Sequence, residues 1–311
     1  MTGEAPLIGL LSGSVLNICG CMPSHCPYEG CRYHQRGSSR FYIRKGFFKT
    51  LYNHQPVPRY QCRGCHRGFS SHTFRKHFRQ RKPHLNERVF EMYCSAVTQR
   101  RIARLLKIDR KTVIRKFLFM SALAKQKHRT AISKRQSFAI QLDEMESFEH
   151  TRLKPLSIVL AVEQGGTILA VKVASMPYKG SLSAIARQKY GYRKDERAAA
   201  RKEVLAILKK LAPTTLYTDA HPGYPKLIKQ YLPGVNHTAV KADHCHPVKR
   251  IQDRRRNKKD PLFALNHCAA KIRHDLSRMA RKVWTTTKKI DRLQAHLDLY
   301  TAYLNGYSLR T

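Results

Sequence analysis

Two aspartates stand where they could do chemistry. Asp143 lies in "QLDEMESFEH", and Asp219 ends the apolar stub of "LYTDAHPGYPKLI", just before the chain turns at His221-Pro222-Gly223. An isolated aspartate at a strand end commonly does no more than cap the helix that follows. Two carboxylates held side by side are different, because they repel unless a cation neutralises them. Hard oxygen donors with open coordination positions suit Mg²⁺ or Mn²⁺. Two such ions about 4 Å apart can activate a nucleophile and stabilise the leaving oxygen of a phosphodiester.

A second group of residues points to a different metal. "CPYEGC" supplies Cys26 and Cys31, and "CRGC" supplies Cys62 and Cys65. Two knuckles of paired thiols, joined by aromatic and basic strand-like stretches, fit a four-cysteine zinc ribbon. The Cys-x4-Cys spacing of the first knuckle is looser than usual, which leaves Cys19, Cys21, His25, His34, His54 and His66 as substitutes. A metal-free fold that buries small cysteines is the alternative, but a segment with so thin a core needs a metal to fold.

The aspartates require a sheet to bring them together. Residues 137–150, 156–166 and 167–177 read as three consecutive antiparallel strands, with a hairpin at Gly165-Gly166. A helix over 193–213, the strand "TTLYTD", a helix near 222–232, a strand near 236–241 and a long helix from about 261 follow. That order is the one of a ribonuclease-H-like fold, in which the strands carrying Asp143 and Asp219 are neighbours. The fold class expected is therefore multidomain α+β. It has a zinc ribbon over 26–80, a helix-turn-helix over 81–124, a basic linker over 125–136 and an α/β ribonuclease-H-like domain over 137–311. Residues 1–25 are expected to be a disordered or misassigned start, since the apolar stretch 6–21 lacks the basic flank and cleavage site of a signal peptide.

Residues 86–124 carry three helical patterns. "TQRRIARLLKI" places Ile102, Leu105 and Leu106 on one face. "DRKTVIRKFLFMSAL" has Asp109 as N-cap and Val113, Ile114, Phe117 and Leu118 as its apolar stripe. A short helix, a tight turn at Lys107–Asp109 and a second basic helix is the helix-turn-helix layout, in which Arg110, Lys111, Thr112 and Arg115 face the DNA major groove. An ordinary three-helix bundle with a solvated basic face is the alternative. The chain has 60 Lys+Arg against 20 Asp+Glu, a formal charge of +40. So large a charge opposes compaction unless a polyanion neutralises it, which makes nucleic acid the expected partner. "RIQDRRRNKKD", with Arg254, Arg255 and Arg256, reads as a phosphate-contacting loop. No apolar run is long enough for a transmembrane helix. The expected location is therefore cytoplasmic, associated with the bacterial nucleoid, with reduced thiols.

These pieces, in this order, resemble bacterial insertion-sequence transposases of the DDE class from about residue 26 to 305. "RYQCRGCHRGFS" is similar to their second zinc knuckle, and "RRIARLLKIDRKTVIRK" to their helix-turn-helix. "QLDEMESFEH" and "LYTDAHPGY" are similar to the strands bearing the first two acids. "RHDLSRMARKVWTTTKK" is similar to the basic helix after the third catalytic position. The resemblance implies DNA strand cleavage and transfer, oligomerisation on double-stranded DNA at element ends and target, structural zinc, and catalytic Mg²⁺ or Mn²⁺ at Asp143 and Asp219. It places the third position at Asn266, where the family usually has glutamate. An asparagine amide oxygen can ligate a metal without charge. Asp260 and Asp275 are rivals, although Asp275 is half a helical turn out of phase with Asn266. Two other functions stay open: a catalytically degenerate, transposase-derived DNA-binding protein, and a basic nucleic-acid-associated protein with a structural zinc.

Overall fold

The computed structural model describes residues 22–35, 40–51, 54–241, 260–280 and 285–309. Two compact units divide the chain between Pro83 and His84. Arg254, Arg255 and Arg256 lie outside the described residues.

The first unit carries a short helix α1 (Arg32–Gln35) and an antiparallel sheet of β1 (Tyr42–Lys49), β2 (Pro56–Cys62) and β3 (Gly68–Ser70), in that order. Its buried core is Cys26, Cys31, Phe41, Tyr60, Cys62 and Phe69. Aromatic contacts pack around the thiols, with Tyr42 set edge-on to Tyr60 at 4.9 Å. β1 is exposed along most of its length, so the core lies almost wholly on the β2 side.

The second unit begins with α2 (Asn86–Tyr93), α3 (Gln99–Leu105) and α4 (Arg110–Ile132). Strands β4 (Ala139–Phe148), β5 (Pro155–Glu163) and β6 (Ile168–Ser175) come next, then α5 (Ser183–Tyr190) and α6 (Arg197–Lys209). β7 (Thr215–Asp219), α7 (Tyr224–Tyr231), β8 (Asn236–Val240), α8 (Phe263–Asp275) and α9 (Ile290–Leu304) complete it. The sheet order is β6-β5-β4-β7-β8. β4, β5 and β6 pair antiparallel, while β7 pairs parallel to β4 and β8 parallel to β7. This mixed five-stranded sheet is consistent with the ribonuclease-H-like order expected from the sequence.

Both faces of the sheet are buried, which explains why β5 is an almost unbroken apolar run and not an alternating one. Leu156, Ile158, Leu160 and Val162 face one way, into a core shared with Phe90, Tyr93, Phe117, Met120, Leu265, Ile272 and Leu297. Val159 and Ala161 face the other way, against Val204, Leu205 and Leu208 of α6 and Ile228 of α7. The hairpin after β5 turns at Gly166, whose φ of +88° suits glycine.

Four expectations change. First, α4 runs on through most of the proposed linker to Ile132, because Ile132 packs into the second core and His128 Nε2 donates to the Leu169 carbonyl at 3.0 Å. Second, α2–α4 have no separate core of their own: Tyr93 stacks on Phe117 at 4.5 Å, and His296 of α9 donates to the Tyr93 carbonyl at 2.9 Å within the core that covers the sheet. Third, Leu105 is exposed, while Ile102 is buried and Leu106 packs against the core. Fourth, the long C-terminal helix is two helices. Past Asp275 the chain becomes extended at Leu276, and Thr287, last of a β-branched threonine run, bridges to Glu149. The stretch 177–192 also contains α5, which the sequence pattern did not reveal.

The shared core has a measurable consequence. Phe117→Ala should destabilise by about 3–5 kcal/mol, and helices and sheet should still melt in one transition by circular dichroism and by tryptophan-independent probes of the sheet. A variant in which α2–α4 melt first, with the sheet intact, would show separate folding units.

Candidate functional site

The register of β4 against β7 sets the position of the two aspartates. Ile140 pairs with Leu216, Gln141 with Tyr217 and Leu142 with Thr218, so Asp143 and Asp219 follow as the next neighbours. Ile140, Leu142 and Leu216 lie in the α6–α7 core, so the aspartates, at the alternate positions, emerge on the opposite face. Both are half-buried. The Glu144 backbone N–H donates to Asp143 Oδ1 at 2.6 Å. Burial pushes the Asp143 carboxyl up to about 6; that N–H opposes the rise, and the neighbouring charge of Asp219 adds to it. Asp219 Oδ1 accepts from His221 N at 3.4 Å, and His221 Nδ1 accepts from Gly223 N at 3.1 Å, which fixes the turn into α7.

α8 is tied to this strand by a residue that sequence reasoning missed. Gln141 lies two residues before Asp143 and on the same face. Its Nε2 donates to the Pro261 carbonyl at 2.8 Å, and its Oε1 accepts from Leu265 N at 2.8 Å. The period-two pattern could have revealed a buried polar residue on the aspartate face, but not what it holds. Asn266 follows directly in α8 and is exposed. Its Nδ2 donates to Asp260 Oδ2 at 2.9 Å, while Asp260 Oδ1 accepts from Leu262 N at 2.9 Å, so Asn266 and one of its rivals form a single unit. Arg273, two turns further along α8, draws the Asp143 carboxyl down through its charge. Asp275 is engaged elsewhere, accepting from Tyr300 Oη at 2.6 Å. Among the described residues, no third Asp, Glu, His or Cys joins Asp143 and Asp219 closely enough to share an ion.

Glu144 extends the local run of acids but serves the opposite face. Ser157 Oγ donates to it at 2.5 Å, Arg201 Nε of α6 pairs with it, and Arg201 lies 5.3 Å over the Tyr224 ring. This packing fixes the strand from behind.

The sulfur atoms of Cys26, Cys31, Cys62 and Cys65 lie within 4.8 Å of one another. Cys26 and Cys65 are 3.7 Å apart, and Cys31 and Cys62 are 3.6 Å apart. A tetrahedron with metal–sulfur bonds of about 2.3 Å has edges of about 3.8 Å, whereas a disulfide would bring two sulfurs to about 2.05 Å. The four thiols therefore fit a tetrahedral zinc. Burial pushes Cys26 up to about 12. Burial also resists ionisation of Cys62, but the N–H groups of Cys65 and Gly64 aimed at its sulfur outweigh it and bring the thiol down to about 7. His34 is not in the cluster; its Nδ1 donates to the Cys26 carbonyl at 2.8 Å. His25, His54 and His66 are not in the cluster either, and Cys19 and Cys21 lie outside the described residues.

At the start of α4, Asp109 Oδ1 accepts from Lys111 N at 2.7 Å. Lys107 takes the left-handed conformation at φ +49° that turns the chain out of α3. Arg110, Lys111 and Arg115 are exposed and Thr112 is half-buried. Among the described residues, no helix is long and apolar enough to cross a membrane.

No protein-family model matches the chain, and no curated protein matches it. Among solved structures the chain is similar to the HTLV-2 integrase catalytic core domain in complex with magnesium, with 14% identity over 52% of this chain and 96% of that one, at a TM-score of 0.22. It is also similar to the simian T-cell lymphotropic virus intasome in complex with a PP2A regulatory subunit, with 15% identity over 52% of this chain and 55% of that one, at a TM-score of 0.22. The chain thus spans about half the length of that second protein. The strand order itself, and not this likeness, defines the fold.

Two measurements test the sites. Cys62→Ser should lose bound zinc in elemental analysis of the purified protein, and full zinc content would exclude the four-thiolate set. For Asp143, the folded pKa of about 6 lies above the ordinary 3.8. In magnesium-free buffer its penalty is absent below about pH 4, grows as pH rises and is full above about pH 6. Asp143→Asn should therefore stabilise the protein by roughly 1–3 kcal/mol at pH 7 and by nothing at pH 3.5. Equal denaturation midpoints at pH 7 would contradict this.

Proposed function

We propose that this chain is a bacterial insertion-sequence transposase of the DDE class, which binds element ends and carries out metal-dependent DNA strand cleavage and transfer. The observation that carries this reading is the parallel β4–β7 register, which makes Asp143 and Asp219 neighbours on one face. The donor set is all hard oxygen, and burial, with the charge of Asp219 beside it, drives the Asp143 carboxyl up to about 6. Asp143 and Asp219 would hold Mg²⁺ or Mn²⁺, with the Asn266 amide oxygen as the uncharged third donor, its amide nitrogen held by Asp260. When bound, the divalent ions supply activation of the attacking water and neutralisation of charge on the leaving oxygen.

The chain's remaining surfaces serve substrate binding. Zinc held by the four cysteines would stabilise a ribbon in the first unit. α3 and α4 would act as a helix-turn-helix, with Arg110, Lys111, Thr112 and Arg115 at the major groove. Arg254, Arg255 and Arg256 would contact phosphates. The reading expects several copies of the chain to assemble on double-stranded DNA.

A second reading is a catalytically degenerate DNA-binding protein. It is favoured by the absence, among the described residues, of a third carboxylate beside the pair, and by the Arg273 charge acting on Asp143. One experiment separates the two. Strand cleavage is measured on DNA carrying the element's ends, with Mg²⁺ or Mn²⁺, for wild type, Asp143→Asn, Asp219→Asn, Asn266→Ala and Asn266→Glu. The transposase reading expects cleavage by wild type, none by either aspartate variant, reduced cleavage by Asn266→Ala, and unchanged DNA affinity throughout. Undiminished cleavage by Asp219→Asn would defeat it. Cleavage only by Asn266→Glu would establish the degenerate protein.

A further inference from the structure

The connection between β6 and α6 carries more than it needs to cross from one strand to one helix. α5 within it buries only Ala186, while Leu182, Ile185, Tyr190 and Tyr192 stay exposed, Tyr192 by 81%. Between this segment and the start of β5 lies a cleft of about 250 Å³, lined by Lys154, Tyr178, Arg187, Tyr190, Tyr192 and Arg193 among others. The ring of Tyr178 lies over Gly180, where a side chain would strike it. Gly191, at φ +75°, turns the chain from α5 to Tyr192 and Arg193.

The electrostatics of the cleft are one-sided. Glu149 accepts from Lys154 at 3.2 Å and from Arg193 at 3.1 Å, one carboxylate between two cations. Arg187 adds a third cation on the exposed face of α5. Arg193 also keeps Nε and Nη2 buried with no hydrogen-bond acceptor. Those two donors are closed off from the cleft, so the exposed guanidinium of Arg187 is the group an anion there can reach, with Arg193 adding its charge from the cleft wall. Lys154 and Lys189 lie 5.9 and 5.7 Å from the Tyr190 ring centroid, so aromatic faces and positive charge interleave. Exposed aromatic faces set among cations are the two ingredients of a site for unpaired nucleotides: phosphates on the bases of the protein, nucleobases stacked on its rings.

We propose that this cleft binds a single-stranded segment of DNA, with a phosphate on Arg187 beside the charge of Arg193 and an unpaired nucleobase stacked on Tyr192 or Tyr190. The position suits it. β4 runs from Asp143 toward Glu149, so the cleft lies about six residues further along the same strand, roughly 20 Å of extended chain. A strand released at the aspartate pair can reach it. The proposal rests on the DNA-processing function above for its substrate, but its test reads binding and needs no cleavage.

The test uses the full chain and fluorescence anisotropy of labelled DNA at about physiological salt. The probes are a blunt duplex, the same duplex with a short single-stranded overhang, and that duplex with an abasic overhang. Wild type should bind the overhang roughly tenfold tighter than the blunt or abasic probes, the size of one base–aromatic stack. Tyr192→Ala together with Tyr190→Ala should erase that preference and leave blunt-duplex affinity unchanged. Tyr192→Phe together with Tyr190→Phe, which keeps the rings, should retain it. Arg187→Ala should weaken the overhang and abasic probes alike. Equal wild-type affinity for overhang and blunt probes would overturn the proposal, as would an abasic overhang bound as tightly as an intact one, or a double alanine variant that keeps the preference. A chain that cleaves no DNA yet shows the overhang preference would sink the transposase reading alone.

Discussion

Two like charges held on adjacent parallel strands are the constraint around which the second unit is organised. The β4–β7 register cannot slip by one residue without sending Ile140, Leu142 and Leu216 out of the α6–α7 core and the aspartates into it. Gln141 pins the same strand to α8 from the aspartate face, and the Glu144–Arg201 pair pins it from the other. The repulsion at Asp143 is thus sustained by apolar packing on one side and by directed hydrogen bonds on the other. Marginal protein stability makes such a local cost bearable only where the surrounding structure over-determines it.

Many acids of the chain are engaged in internal contacts. Among the described residues, Glu163 pairs with Arg135, Glu149 with Lys154 and Arg193, Glu203 with Lys172, and Asp195 with Arg197. Asp109 caps α4, Asp260 holds Asn266 and Asp275 holds Tyr300. The remaining bases face solvent in excess, where a polyanion is the natural counterion. Asp143 differs from these acids in that burial and the neighbouring charge of Asp219 push its carboxyl up to about 6, against the opposing Glu144 N–H and the charge of Arg273.

α4 joins two regions of the second unit through a single rigid element. It has 23 residues, about 35 Å. Its first turn exposes Arg110, Lys111 and Arg115, and its last, through Ile132 and His128, is fixed to the core and to β6. Its middle, through Phe117 and Met120, is part of the core that supports the aspartate face.

The local rules of the chain were legible in its residues. The thiol spacing, the Asp109 cap with its turn, the Gly165-Gly166 hairpin, the apolar strands and the two strand-borne aspartates all follow from side-chain chemistry and short-range periodicity. Cys26, Cys31, Cys62 and Cys65 could be named because metal-ligand spacing is a local property. What only the tertiary structure decided depends on partners far apart in sequence. Whether 125–132 is linker or helix turned on a core contact at Ile132, and whether the C-terminal helix is one or two turned on the bridge from Thr287 to Glu149. Gln141 could not be read as the clamp on α8, because its partners are Pro261 and Leu265, more than a hundred residues away. The same holds for the aspartates: sequence supplies two carboxylates on strands, but only hydrogen-bond register, set by the burial of both sheet faces, makes them neighbours.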